Sequence, residues 1–180
     1  HCQKCGQPVR KEPPQVAWET LNAEHEMRNA EVLITFDLPL SEKLSLKESL
    51  DLVARQGYQR LLVGTEIIRI DEAANHAALR APCSTLIVVQ DRLKLSAANR
   101  ARFVEACEQA YHFGKGKLAV LFLAPGDSNS KLETRNRKLF SRGFHCATCD
   151  LNYPEPTPAL FSFNHPVGAC PACKGAAQEK

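Results

Sequence analysis

Three Cys-x-x-Cys pairs dominate the chain: Cys2/Cys5 at its start, Cys146/Cys149, and Cys170/Cys173 near its end. Two thiolates three residues apart in a tight turn can reach one zinc ion, and two such knuckles complete a tetrahedral site. Six of the eight cysteines therefore stand at metal-ligand spacing, while Cys83 and Cys107 lie inside apolar segments. Because the pairs sit toward the two ends, the expected object is a globular module whose incoming and outgoing strands are clamped by metal. A disulfide framework is the rival reading. Such scaffolds are short, secreted and cysteine-rich throughout, whereas this chain has 180 residues and two cysteines outside any pair. It carries no signal-peptide core and no apolar run of bilayer length, so a reducing cytoplasm and no membrane partner are expected. A thioredoxin-like redox pair is the weakest of the three readings.

Three pairs supply six ligands, one and a half zinc sites. One pair is therefore unused, or is completed by residues from elsewhere. The chain opens with His1 directly before a ligand and has no initiator methionine, so it reads as a segment of a longer protein. With 44% apolar and 24% charged residues the composition is that of an ordinary folded domain. A net charge of +3 is too small to argue nucleic-acid binding by itself.

The chain divides into three parts. Residues 1–14 form an N-terminal knuckle with a charged, proline-bearing exit, and Gly6 after the second cysteine suits a turn that needs positive φ. Residues 15–123 alternate helix and strand patterns: helix over 15–28, strand over 31–36, helix over 45–55, strands over 58–63 and 66–70 around Gly64-Thr65, strand over 84–95, helix over 96–113 and strand over 118–123. Ser45 and Glu48 stand at capping-box spacing. Phe103, Cys107, Ala110 and Tyr111 share one face of the long helix. This mixture predicts an α+β fold, an α/β sandwich with a mostly antiparallel sheet packed by helices on a zinc-knuckle base. Residues 124–180 are rich in prolines and cysteines, and their order must come from metal and from packing of Phe161 and Phe163.

Common catalytic signatures are absent: there is no phosphate-loop motif, no nucleophile elbow and no His-Glu-x-x-His. Gly114-Lys115-Gly116-Lys117 follows a helix and precedes a strand, the reverse of a phosphate loop, and reads as a helix stop. His1 and His145 adjoin cysteines, yet every knuckle already has its own thiols. Cys107 reads as a small buried hydrophobe rather than a nucleophile. No enzyme is expected within this chain; a zinc hydrolase needs an open coordination position, and all-cysteine knuckles argue against one.

The cysteine-rich end resembles a known family. The stretches Phe140-Ser141-Arg142-Gly143-Phe144-His145-Cys146-Ala147-Thr148-Cys149, Glu155-Pro156, and Leu160-Phe161-Ser162-Phe163-Asn164 through Gly168-Ala169-Cys170-Pro171-Ala172-Cys173-Lys174-Gly175 look like UvrA, the damage-sensing ATPase subunit of the bacterial nucleotide-excision-repair excinuclease. Upstream, Gln56-Gly57-Tyr58-Gln59-Arg60, Val88-Val89-Gln90-Asp91-Arg92 and Glu105-Ala106-Cys107-Glu108-Gln109-Ala110 are similar to family segments in the same order. Two stretches depart from the family. Residues 37–45 carry less basic charge than its glycine-containing loop, and residues 9–28 match weakly, as in a divergent UvrA or a UvrA-like paralogue.

The resemblance implies the insertion that docks UvrB, with ATP bound by the rest of UvrA, its ATPase and signature domains, and damaged DNA engaged by the full-length protein. It also implies that Cys2/Cys5 and Cys146/Cys149 share a zinc, while Cys170/Cys173 pair with a later knuckle in the signature region. Arg60, Arg92 and Glu108 match positions that contribute to UvrB contact in the family. The alternative, from another class, is a zinc-ribbon module touching nucleic acid directly. Lys131, Arg135, Arg137, Lys138 and Arg142 before the second knuckle support it, and a solvated linker is the bland account of that run.

Overall fold

The apolar run of the first strand segment is contiguous rather than alternating because both faces of the sheet are buried there. The computed structural model describes residues 1–23, 29–41, 43–80, 84–123, 137–146 and 148–162. Helix α1 (Pro14–Ala23) starts on a proline, whose missing N–H is no loss at a first helical position, and buries Ala17, Trp18 and Leu21. Strand β1 (Glu31–Pro39) buries five consecutive residues, Val32 to Phe36. Helix α2 (Leu46–Arg55) begins on the expected capping box: the Ser45 hydroxyl accepts the Glu48 N–H, and the Glu48 carboxylate accepts the Ser45 N–H at 2.8 Å. Strands β2 (Arg60–Val63) and β3 (Glu66–Arg69) form the expected hairpin, with Gly64 at φ +61°.

Two short helices, α3 (Ile70–Ala73) and α4 (Ala77–Arg80), follow, so Ile70 opens a helix rather than ending the strand expected over 66–70. Strand β4 (Thr85–Lys94) leads through a single 3-10 turn, Ala97–Asn99, into helix α5 (Arg100–Phe113). Strands β5 (Lys117–Phe122) and β6 (Arg137–Ser141) complete the main sheet, and β7 (His145–Cys146) and β8 (Leu151–Asn152) form a small hairpin beyond it.

The main sheet has the order β3-β2-β4-β1-β5-β6, and every neighbouring pair is antiparallel. The expected α+β sandwich is therefore present. Its sixth strand, β6, comes from the cysteine-rich third part of the chain, where sequence periodicity offered no strand. Helices α1, α2 and α5 pack on one face against Val32, Ile34, Phe36, Val88 and Val120. Trp18 meets Phe103 edge-on at 5.2 Å, fastening α1 to α5. Leu33, Leu62, Val89 and Leu121 form a second buried cluster on the opposite face. Among the described residues no helix is long and apolar enough to cross a membrane.

The turn after α5 sets how closely the helix approaches the sheet. A Cβ placed on Gly114 would lie 2.2 Å from the Lys117 carbonyl, 2.7 Å from that of Ala110 and 2.8 Å from Phe36 Cβ. Two of these three obstacles are backbone and cannot swing away. Gly114→Ala is expected to destabilise the fold by about 3 kcal/mol, the upper part of the overpacking range, read as a lowered urea midpoint with an unchanged slope. A midpoint equal to that of the parent would refute this close packing.

Candidate metal centre and docking surface

Two of the cysteine pairs, Cys2/Cys5 and Cys146/Cys149, fall among the described residues, and turns present both. In the opening knuckle the Cys2 N–H donates to the Gln7 carbonyl at 2.7 Å and the Gly6 N–H to that of Cys2 at 2.9 Å. Gly6 sits at φ +71°, the conformation its position required. The second knuckle is the tip of the β7–β8 hairpin, registered as His145 opposite Asn152 and Cys146 opposite Leu151. Asp150 turns the chain there at φ +54°, a conformation aspartate tolerates better than most residues. Its carboxylate accepts from the Lys117 ammonium at the start of β5 and lies 2.8 Å from His145 Nε2. The Lys117 contact ties the knuckle to the main sheet and the His145 contact braces the hairpin itself, and Lys117 first, then His145, hold the Asp150 carboxyl below its usual range.

The fold brings the two knuckles together although they are far apart in the chain. The sulfurs of Cys2, Cys5, Cys146 and Cys149 all lie within 4.8 Å of one another, and Cys5 and Cys146 are 3.5 Å apart. Zinc–sulfur bonds of ~2.3 Å in a tetrahedron put neighbouring sulfurs ~3.8 Å apart, so the donor set fits a four-thiolate zinc site with modest adjustment. Cys2 and Cys146 are buried, Cys149 is half-buried and Cys5 is exposed. Without a cation such a cluster resists ionising fully. The Tyr153 hydroxyl lowers the Cys2 thiol to about 6, whereas the hydrogen bond with Cys5 is the main cause pushing Cys149 up to about 12. Burial raises Cys146. A divalent ion reverses this by favouring the thiolates.

His145 is buried and adjoins Cys146, but its Nε2 faces Asp150, and among the described residues the cluster consists of the four cysteines. Its Nδ1 is buried and has no hydrogen-bond partner among the described residues. Cys107 is buried on α5, where burial drives its thiol far above the ordinary range, as befits a packing residue. Cys83, Cys170 and Cys173 lie outside the described residues, as do Lys131 and Arg135.

Arg60 and Arg92 are brought together and Glu108 is not. Strand β2 pairs with β4 only at Leu61–Val88 and Leu62–Ile87, so beyond Val89 the two strands part. The resulting notch, about 270 Å³, is lined by Tyr58, Arg60, Gln90, Asp91, Arg92 and Arg102 among others. A bulge helps to shape it: Thr35 faces Val89 and Ile34 faces Asp91, which leaves Gln90 as the extra residue of β4. The freed Gln90 amide accepts from the Tyr58 hydroxyl at 3.0 Å and donates to Gln109 at 2.8 Å. Arg92 grips Glu31 with two hydrogen bonds of 2.8 and 3.1 Å, and Arg102 grips Asp91 with two of 2.8 and 2.7 Å. Each pairing runs through the Nε–Nη2 edge of the guanidinium, the two-pronged geometry of an arginine–carboxylate pair. Arg60 has no ion pair among the described residues. Glu108 stands instead 3.6 Å from Arg142, just past β6. Asp91, a candidate partner for Arg92 in the sequence, pairs instead with Arg102, which no sequence signal marks because the notch exists only where strands diverge in three dimensions.

The family described as the UvrA interaction domain matches residues 21–124. The UvrABC system protein A of Aquifex aeolicus is 32% identical over 144 residues, which is 80% of this chain and 14% of that protein. Its counterpart in Thermus thermophilus is 29% identical over 174 residues, 97% of this chain and 17% of that protein. That of Xanthomonas campestris is 39% identical over 120 residues, 67% of this chain and 11% of that protein. The chain thus spans less than a fifth of the length of these relatives.

Proposed function

The chain belongs to the UvrA family, and from that premise we propose that it is the non-catalytic docking domain through which a nucleotide-excision-repair ATPase binds UvrB and helps load it at damaged DNA. The observation that carries this reading is the arginine notch, which lies within the stretch matched by the interaction-domain family. Three guanidiniums against two carboxylates, Glu31 on Arg92 and Asp91 on Arg102, leave the notch with an excess positive charge that suits an acidic group on a protein partner, because charge complementarity sets orientation and on-rate. Glu108 contributes a separate contact on the helical layer.

Under this proposal Cys2, Cys5, Cys146 and Cys149 hold a structural zinc, which supplies a rigid cross-link between the chain's incoming and outgoing segments and no chemistry. Cys170 and Cys173 are completed by a later knuckle of the same protein, and ATP binds elsewhere in it. The setting is the cytoplasm. Direct nucleic-acid contact finds less support: Arg137 faces Asp37 at 3.4 Å and Arg142 faces Glu108, so part of the basic run is already paired. Pulldown of UvrB by the 180-residue chain, beside a gel shift with damaged duplex, separates the two readings. UvrB capture without a shift is the expected result, and a shift without capture overturns the docking proposal.

A further inference from the structure

We infer that Tyr153 is a positioning residue for the metal, holding the Cys2 thiolate with its hydroxyl and locking one knuckle onto the other. The inference rests on the reading of the four-cysteine cluster as a zinc site. Tyr153 directly follows β8, where its N–H donates to the Phe144 carbonyl at 2.7 Å and fixes the backbone that carries the ring. Its hydroxyl then reaches the opening knuckle. It accepts the Gln3 N–H at 2.9 Å and donates to Cys2 Sγ at 3.3 Å. The first bond orients the second, since an oxygen already occupied by the Gln3 N–H has its remaining proton free to face the sulfur.

Cys2 and Cys146 are the two buried cysteines of the cluster, and Cys2 is the one that the tyrosine hydroxyl reaches. It is 3% exposed, whereas Cys5 of the same knuckle is open to water. A thiolate shut away from solvent must be hydrogen-bonded by protein, and the tyrosine supplies from a side chain what water supplies to Cys5. Partners outside the ligand shell orient ligands and tune metals, typically by 10- to 100-fold in affinity. The salt bridge of Lys11 with Glu155 ties the same two segments without touching a sulfur, and so provides an internal control.

The experiment compares the zinc-loaded chain with Tyr153→Phe, which keeps the ring and removes only the hydroxyl, and with Glu155→Gln. Elemental analysis first establishes one zinc per wild-type chain; a metal-free wild type overturns the zinc reading, and this inference with it. Zinc release to a chelator should then be about tenfold faster in Tyr153→Phe and unchanged in Glu155→Gln. In the cobalt-substituted proteins the sulfur-to-metal charge-transfer band should move to lower energy in Tyr153→Phe alone, because a thiolate that loses a hydrogen bond gives up its electrons more readily. Release and spectra equal to wild type in Tyr153→Phe overturn the inference. Equal acceleration in both variants, with no spectral change, overturns it as well by reducing the tyrosine to one more cross-link.

Discussion

Removing the metal, by chelation or through Cys146→Ser, is expected to lower the melting temperature by about 10 °C while leaving the main sheet folded. The size follows from what the cluster joins. A cross-link closing a loop of a hundred residues or more stabilises by about 4–5 kcal/mol, and in a domain of this length each kcal/mol shifts melting by about 2–4 °C. The loss should be local because the core does not depend on the clamp. Val32, Ile34, Val88, Phe103 and Val120 are at most marginally exposed and pack among themselves, so amides of β1, β4 and α5 should keep their exchange protection while those of both knuckles lose it. Cys107→Ala should bind zinc like the parent, since that side chain lies in the helical core and outside the cluster. Double replacement of Cys170 and Cys173 by serine should also leave one zinc per chain; loss of that zinc would instead support a competing site in which Cys146 and Cys149 share the ion with Cys170 and Cys173. Unchanged zinc content and unchanged melting in Cys146→Ser would dispose of the clamp.

The four-cysteine cluster was the most legible part of the molecule, because metal chemistry restricts residue type and spacing tightly enough to show in a bare sequence. Gly6 could be assigned its positive φ before any coordinates for the same reason. The capping box of α2 was legible because Ser45 and Glu48 act locally, and the contiguous apolar runs of β1 and β4 were legible as strands. Strand β6 was not. Its burial pattern alternates poorly, with Arg137 and Leu139 exposed and Phe140 and Ser141 buried together, and it is a strand only because β5 offers it an edge. The helices α3 and α4 have four residues each, too few for a period to register. The notch and the Tyr153 contact are further from view still. One depends on strands that diverge after a bulge, the other on a hydroxyl bonded to an atom 151 positions away, and neither leaves a mark in local sequence. Resemblance to the family singled out Arg60 and Arg92; it could not have paired Arg102 with Asp91.

Reversing charge in the notch should cost most of the affinity for UvrB. Arg60→Glu is the cleaner single change, since Arg60 has no ion pair to lose among the described residues and stands exposed at the start of β2. Its effect on folding should stay within about 0.5 kcal/mol, the usual range for surface substitutions. Arg92→Glu also removes the two-pronged grip on Glu31 and sets two carboxylates side by side, which adds about 1 kcal/mol of destabilisation, the upper end for a partly exposed pair. Each reversal should weaken binding about tenfold, or ~1.4 kcal/mol, with most of the loss in association rate and most of it at low salt, where steering is strongest. Arg102→Gln should act in the same direction, whereas Glu108→Gln should add an independent increment because Glu108 sits apart beside Arg142. The measurement is a salt series of surface-plasmon-resonance kinetics with UvrB in solution over the immobilised zinc-loaded chain, beside thermal melts that certify folding. A folded Arg60→Glu/Arg92→Glu double variant that binds UvrB as the parent does would take both arginines, and the notch with them, out of the docking surface.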